Sequence, residues 1–179
     1  MLRLFAALAL PDAIADPLRS LQQDLAGASW RPREALHITL RFFGEVQERV
    51  ADDLHLALSQ IASTPLDLCL SGLGSFGEGA DLNAVWAGVA PSMPLNGLAQ
   101  ACDLASQRVG LRRDGRHYIP HVTLAYLRRT PPQAVARWMS NCGPVTSSSF
   151  QVGQFGLYSS QLSASGSVYQ LEQAYPLKA

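Results

Sequence analysis

The chain has 179 residues, is 47% hydrophobic and 16% charged, and carries no net formal charge at neutral pH. Such a composition suits a globular chain with a core of its own and excludes a disordered or low-complexity one. No apolar run approaches the roughly 20 residues of a membrane helix. Three cysteines without CxxC spacing (Cys69, Cys102, Cys142) argue against a disulfide framework and fit a reducing compartment.

Residues 2–10 read as a buried first strand stopped by Pro11. A short signal peptide competes for the same residues, but its n-region would hold a single Arg and its apolar stretch is at the short limit. Pro11 and Asp12 open a helix expected over 12–27, with Ile14, Leu18, Leu21 and Leu25 on one face. A strand over 36–43 ends at Gly44, and a helix over 47–62 turns Val50, Leu54, Leu58 and Ile61 inward. Strands at 66–76 and 83–90 flank a Gly/Asp loop, and a helix over 94–109 is ended by Gly110. A strand follows over 119–127, and Pro131 and Pro132 start a helix through 140. Strands at 148–158 and 167–174, joined by a Ser/Gly turn, close the chain. The order strand, helix, strand, helix, paired strands thus occurs twice, over 1–90 and 91–179, which looks like a diverged duplication. No low-complexity linker separates the two passes, so one folding unit over 1–179, with two lobes and a cleft between them, is expected.

Each pass contains one His-x-Thr-Leu run: His37-Ile38-Thr39-Leu40 and His121-Val122-Thr123-Leu124. With four histidines and five threonines, random placement would give about 0.1 such His-x-Thr event. Side chains alternate across a strand, so His37 and Thr39 share a face, with Arg41 continuing the row, and His121 and Thr123 share another. The intervening Ile38, Leu40, Val122 and Leu124 pack the opposite face. One neutral and one charged imidazole are accessible together near neutral pH, so a pair can take a proton from water and give one to a leaving oxygen. Threonine hydroxyls can donate to non-bridging phosphate oxygens, and a nearby arginine can offset developing charge. The constellation fits in-line attack of water on a phosphodiester.

Charge placement agrees. Residues 108–137 hold seven arginines and one acid, Asp114, whereas 45–103 hold eight acids and one base, Arg49. Thirteen of the fourteen basic residues are arginine, whose fork suits phosphate; codon bias in a GC-rich genome is the bland alternative. The arginine-rich stretch is the expected electrostatic funnel for RNA, and Phe5, Trp30, Phe42 or Tyr126 are candidates to stack on a base.

Competing chemistries are weaker. Zinc wants three or four protein ligands, and neither run has an acid or cysteine at ligand spacing. His117, four residues before His121, could serve as a third ligand but sits at a Gly115-Arg116-His117 turn outside the strand row; His55 is expected on the solvated side of its helix. No cysteine neighbours a histidine and there is no G-x-S-x-G elbow. Gly72-Leu73-Gly74-Ser75-Phe76-Gly77 matches a dinucleotide fingerprint in letters, but an acidic loop rather than a helix follows it.

At these residues the chain resembles the two-histidine (2H) phosphoesterases, and most of all the RNA 2′,3′-cyclic phosphodiesterases, also called 2′-5′ RNA ligases. The likeness is carried by Arg3 to Leu8, by Trp30 to Val46 with its His37-Ile38-Thr39-Leu40-Arg41-Phe42-Phe43-Gly44 block, by Val85-Trp86-Ala87-Gly88-Val89, and by Pro120-His121-Val122-Thr123-Leu124-Ala125. The resemblance implies an α+β fold, with antiparallel sheets lining a central cleft and helices packed outside. It implies opening of an RNA 2′,3′-cyclic phosphate to a 2′-phosphate without metal or cofactor, in the cytoplasm. His37 would then be the proton donor to the departing 3′-oxygen and His121 the base, although the sequence leaves acid and base interchangeable. Thr39 and Thr123 would hold the phosphate, with Arg41 and Tyr126 as further substrate contacts. Some members carry a basic residue shortly after the second motif; here Tyr126 stands in that region, with Arg128 and Arg129 beyond. The expected partner is an RNA or oligonucleotide end, bound by a monomer. Small cyclic nucleotides, 2′-5′-linked oligonucleotides, or RNA-end binding without turnover are the alternatives.

Overall fold

The computed structural model describes residues 1–163 and 166–178. The strands are β1 (Leu2–Ala9), β2 (Ala28–Trp30), β3 (His37–Val46), β4 (Leu66–Leu68), β5 (Leu70–Phe76), β6 (Ala84–Val89), β7 (His121–Leu127), β8 (Phe150–Val152), β9 (Gln154–Ser163) and β10 (Gly166–Pro176). The helices are α1 (Asp12–Arg19), α2 (Glu48–Ser59), α3 (Met93–Arg108) and α4 (Pro132–Cys142). The fold is α+β and every strand pair is antiparallel, as expected.

The main sheet runs β10-β9-β1-β3-β7-β6-β5, with β2 added beside β7, while β4 and β8 pair separately. It falls into two halves. β3 and β7 are joined through one registered pair, Ile38 with Val122, whereas β1 and β3 are paired from Leu2–Val46 to Ala9–His37. The halves are not the two sequence passes. One half takes β1 and β3 from the first pass and β9 and β10 from the second; the other takes β2, β5 and β6 from the first and β7 from the second. Each half-sheet therefore draws strands from both passes, and neither is completed by one pass alone.

One apolar cluster underlies both halves. It unites Leu4, Leu8, Ile38 and Leu40 with Val85, Val122 and Leu124, and is covered by Leu18 of α1, Leu54 and Leu58 of α2, Leu95 and Leu98 of α3 and Trp138 of α4. Ser92 caps α3 by accepting from the Leu95 N–H, and Pro94 sits in its first turn, where a missing N–H costs nothing.

Several boundaries differ from expectation. The first helix stops at Arg19 rather than residue 27, and turns carry the chain to Leu25, which still reaches the core. Asp24 and Gly27 adopt positive φ (56° and 81°), which no helix accommodates. The freed residues form β2, which sequence periodicity did not anticipate. The 66–76 strand divides at Cys69, its first part pairing with β8 and its second with β6. The expected 148–158 strand divides at Gly153 into β8 and β9, and β9 and β10 extend past residues 158 and 174; the expected Ser/Gly turn lies outside the described residues.

The largest departure is inside β3. Ala7 pairs with Thr39 and Ala6 with Arg41, leaving Leu40 as an extra residue. This bulge reverses the facing of Arg41 and Phe42, until a second irregularity at Phe43, between the pairs Phe5–Phe42 and Leu4–Gly44, shifts the register again. Leu40 and Arg41 are both buried, and Arg41 lies on the helix side, where its Nε donates to Asp103 of α3 at 2.7 Å and its Nη1 to Asp114 at 3.3 Å. The same guanidinium donates to the carbonyls of Phe42 and Arg112. Asp114 is held at a pKa of about 2, chiefly by hydrogen bonding from Arg116 and also by the Arg41 charge. Asp103→Ala would strand a buried guanidinium, and is expected to cost about 3 kcal/mol in urea denaturation. A loss below about 0.5 kcal/mol would show that water screens the cluster.

Candidate active site

β3 and β7 each begin with a histidine, and their one registered pair consists of two fully buried residues, Ile38 and Val122. Alternation therefore turns His37, Thr39, His121 and Thr123 to the opposite face together. One step along the antiparallel register in either direction sets His37 across from Thr123 and Thr39 across from His121. Beyond that point no further β3–β7 pair is registered, and a solvent-open pocket of about 140 Å³ has His37, Thr39 and Thr123 in its wall, with His121 outside it.

Both imidazoles have the carbonyl two residues earlier as a neighbour, and that of His121 is the one at hydrogen-bond distance. His121 Nδ1 lies 2.6 Å from the Ile119 carbonyl, two residues earlier. A carbonyl oxygen only accepts, so Nδ1 carries the proton and Nε2 keeps its lone pair. The carbonyl of Ala35, also two residues earlier, is the corresponding neighbour of His37. His37 stacks on Phe5 (centroids 5.0 Å, 28° between planes) and meets the edge of Tyr169 at 5.3 Å. Burial is the main cause that brings its pKa down to about 4, helped by the charges of Arg31 and His121. His121 packs against Phe76 at 4.8 Å and Trp86 at 5.7 Å, and burial lowers its pKa also.

The dinucleotide-like glycine run serves this aromatic wall instead of a phosphate. Gly74 lies on β5 under Trp86, and a Cβ there would sit 2.1 Å from the indole ring. Its glycine is what lets Trp86 lie flat beside His121.

Of the expected substrate contacts, Thr39, Thr123 and Tyr126 line the pocket, as do Phe5 and Phe42. Arg41 does not: the bulge at Leu40 sends it to Asp103 and Asp114, so its expected place beside His37 and Thr39 is corrected. Phe42 takes the pocket-facing position. Trp30 packs against Trp138 at a tilt (centroids 5.8 Å, 45° between planes), next to the core. The expected arginine funnel is corrected as well, because the arginines in the pocket wall are Arg3 and Arg31, and none comes from 108–137. His55 bonds the Tyr175 hydroxyl at 2.9 Å, and His117 is exposed in the loop before β7.

Sequence reasoning missed Arg31, Tyr169, Ser160 and Ser167, all in the wall. Arg31 stands directly after β2, the strand that periodicity overlooked; its place inside the Trp30–Val46 block was the available signal. Tyr169 and the two serines come from β9 and β10, whose pairing with β1 across the chain leaves no local trace.

Comparison with known proteins agrees with this geometry. A sequence model described as the 2′-5′ RNA ligase superfamily matches residues 10–163. An RNA 2′,3′-cyclic phosphodiesterase of Archaeoglobus fulgidus is 29% identical over 172 residues, covering 94% of this chain and 97% of that one. Another so named, from Aeropyrum pernix, is 32% identical over 140 residues, covering 76% and 79%. Escherichia coli LigT complexed with 3′-AMP superposes with a TM-score of 0.80 at 26% identity, over 99% of both chains. A protein of Thermus thermophilus superposes at 0.81 and 25% identity, over 98% and 97%. The chain belongs to the 2′-5′ RNA ligase superfamily, a family of two-histidine phosphoesterases.

Proposed function

We propose that this chain hydrolyses RNA 2′,3′-cyclic phosphodiester ends to 2′-phosphomonoesters, with His37 and His121 exchanging protons and Thr39 and Thr123 holding the phosphate. The observation that carries the reading is the register of β3 on β7, which turns two imidazole–hydroxyl pairs to one face, with His37, Thr39 and Thr123 in the pocket wall. The names of the Archaeoglobus and Aeropyrum relatives support the substrate class.

In this reading His121 Nε2 takes a proton from water as the water oxygen bonds phosphorus. The phosphorus–O3′ bond breaks, and His37 delivers a proton to O3′. The threonine hydroxyls donate to the non-bridging oxygens as charge grows there. Both imidazoles are depressed in the free protein, so a bound phosphate anion favours the proton that the acid must carry. The Nδ1–H of His121 is held by the Ile119 carbonyl, which leaves its Nε2 free to act as the base. A metal has no part in the proposal, since the pocket wall contains two arginines and no carboxylate, a poor environment for a divalent cation. The whole chain would act as a single two-lobed domain, because wall residues come from β1, β3, β7, β9 and β10. No helix of the described residues is long and apolar enough to cross a membrane, and the three cysteines are unbridged, which fits the cytoplasm.

Turnover of an RNA oligomer ending in a 2′,3′-cyclic phosphate, compared with a cyclic mononucleotide, tests the activity and its preferred substrate; binding without product would overturn it. His37→Ala and His121→Ala are each expected to lower kcat by about 10³-fold. EDTA should leave the rate unchanged, and loss restored by a divalent metal would remove the metal-free step. The pH dependence has a definite sign. Activity needs one ring charged and one neutral, and both free-protein pKa values lie below 6.5. The bell of kcat/KM should therefore centre on the acid side of pH 6.5, with the limbs of kcat displaced upward by the bound anion. A kcat/KM still rising above pH 7 would contradict it.

A further inference from the structure

Two arginines of this protein are nearly withdrawn from water, and their surroundings differ. Arg41 is 9% exposed and is met by two carboxylates and two carbonyls. Arg31 is also 9% exposed, yet no carboxylate pairs with it among the described residues. Its main chain is fixed on both sides: the N–H donates to the Leu124 carbonyl of β7 at 2.8 Å, and its carbonyl accepts from Gln22 at 2.8 Å. Its Nη2 donates to the Tyr169 hydroxyl at 2.9 Å. The guanidinium lies over the rings of Tyr126 at 5.2 Å and Tyr169 at 5.4 Å.

A guanidinium has five N–H donors, and the side-chain bond to Tyr169 uses one. Aromatic faces offset part of the charge but accept none of the remaining donors in the plane of the fork. A buried cation left so is costly unless an anion completes it. The pocket that Arg31 helps line also contains His37, Thr39 and Thr123. The nearness of its charge is felt at His37.

We propose that Arg31 is the phosphate-gripping residue of this site: its guanidinium binds non-bridging oxygens of the substrate phosphate, and Tyr169 and Tyr126 hold it in place for that contact. The proposal rests on the phosphoesterase reading and assigns to Arg31 the charge-offsetting part that strand alternation had assigned to Arg41. Tyr126 and Tyr169 act through Arg31 as positioning residues. A phosphate between the threonines and Arg31 would receive hydroxyl donors from one side and a planar fork from the other.

Arg31→Gln, Arg31→Lys and Tyr169→Phe test it, with Arg19→Gln, exposed at the end of α1, as a charge-matched control. Inorganic phosphate is the binding probe, followed by calorimetry, and the cyclic-phosphate RNA oligomer is the substrate. Folded Arg31→Gln should bind phosphate at least tenfold more weakly and lose about 10²-fold in kcat/KM. Arg31→Lys should keep kcat/KM within about tenfold of the parent, since it retains a charge without the fork. Tyr169→Phe should act mainly on KM, because the fork is loosened but present. Should Arg31→Gln fail to fold, the lysine and phenylalanine variants carry the same comparison. If Arg31 merely staples β2 to β10, the melting temperature falls while phosphate affinity and KM of the folded variants stay within about twofold of the parent, and the proposal is overturned. Absence of phosphate binding by the parent protein overturns it too. Absence of turnover by the parent, with phosphate binding that still depends on Arg31, would remove the phosphodiesterase reading and leave the anion site standing.

Discussion

The pairing of Ile38 with Val122 is the contact on which the site depends. Two apolar side chains, both fully buried, pin β3 to β7 at one point. Because residues next to a buried position on a strand face the other way, that single pin turns four polar side chains toward one another. Longer pairing would close the gap with ladder hydrogen bonds and leave no room for a substrate. Absence of the pin would let the two histidine strands drift apart. The mixing of strands from the two sequence passes reinforces the pin, since each half-sheet is completed by segments from the other half of the chain.

The electrostatics follow from burial. Phe5, Tyr169, Phe76 and Trp86 surround the imidazoles and withdraw them from water, which disfavours their charged forms. Both histidines thus favour their neutral forms, and arginine charge lies in the same wall as His37. On the other side of β3 a second buried arginine is neutralised by Asp103 and Asp114 and serves the packing of α3 on the sheet. One strand therefore separates a saturated cation from an unsaturated one.

The histidine and threonine positions were legible in the sequence because they depend on strand alternation, which operates over two residues. The same rule failed two positions later. One extra residue at Leu40 reverses the facing of Arg41 and Phe42, and a bulge leaves no signature in the letters Leu-Arg-Phe-Phe. The glycine run was rightly set aside as a nucleotide loop, yet its purpose, space for the Trp86 ring, could be seen only once β6 lay beside β5. The first helix was overextended because Leu21 and Leu25 keep helical spacing while the backbone at Asp24 and Gly27 does not.

By itself the sequence determined the α+β order of elements, the apolar faces that build the core, and the two His-x-Thr pairs, since each arises from periodicity within one segment. Tertiary structure alone decided which strands share a half-sheet, which arginine stands in the pocket, and which aromatic rings enclose the histidines. Those choices rest on register and on contacts between segments as distant as Arg31 and Tyr169, where no local pattern records the partner.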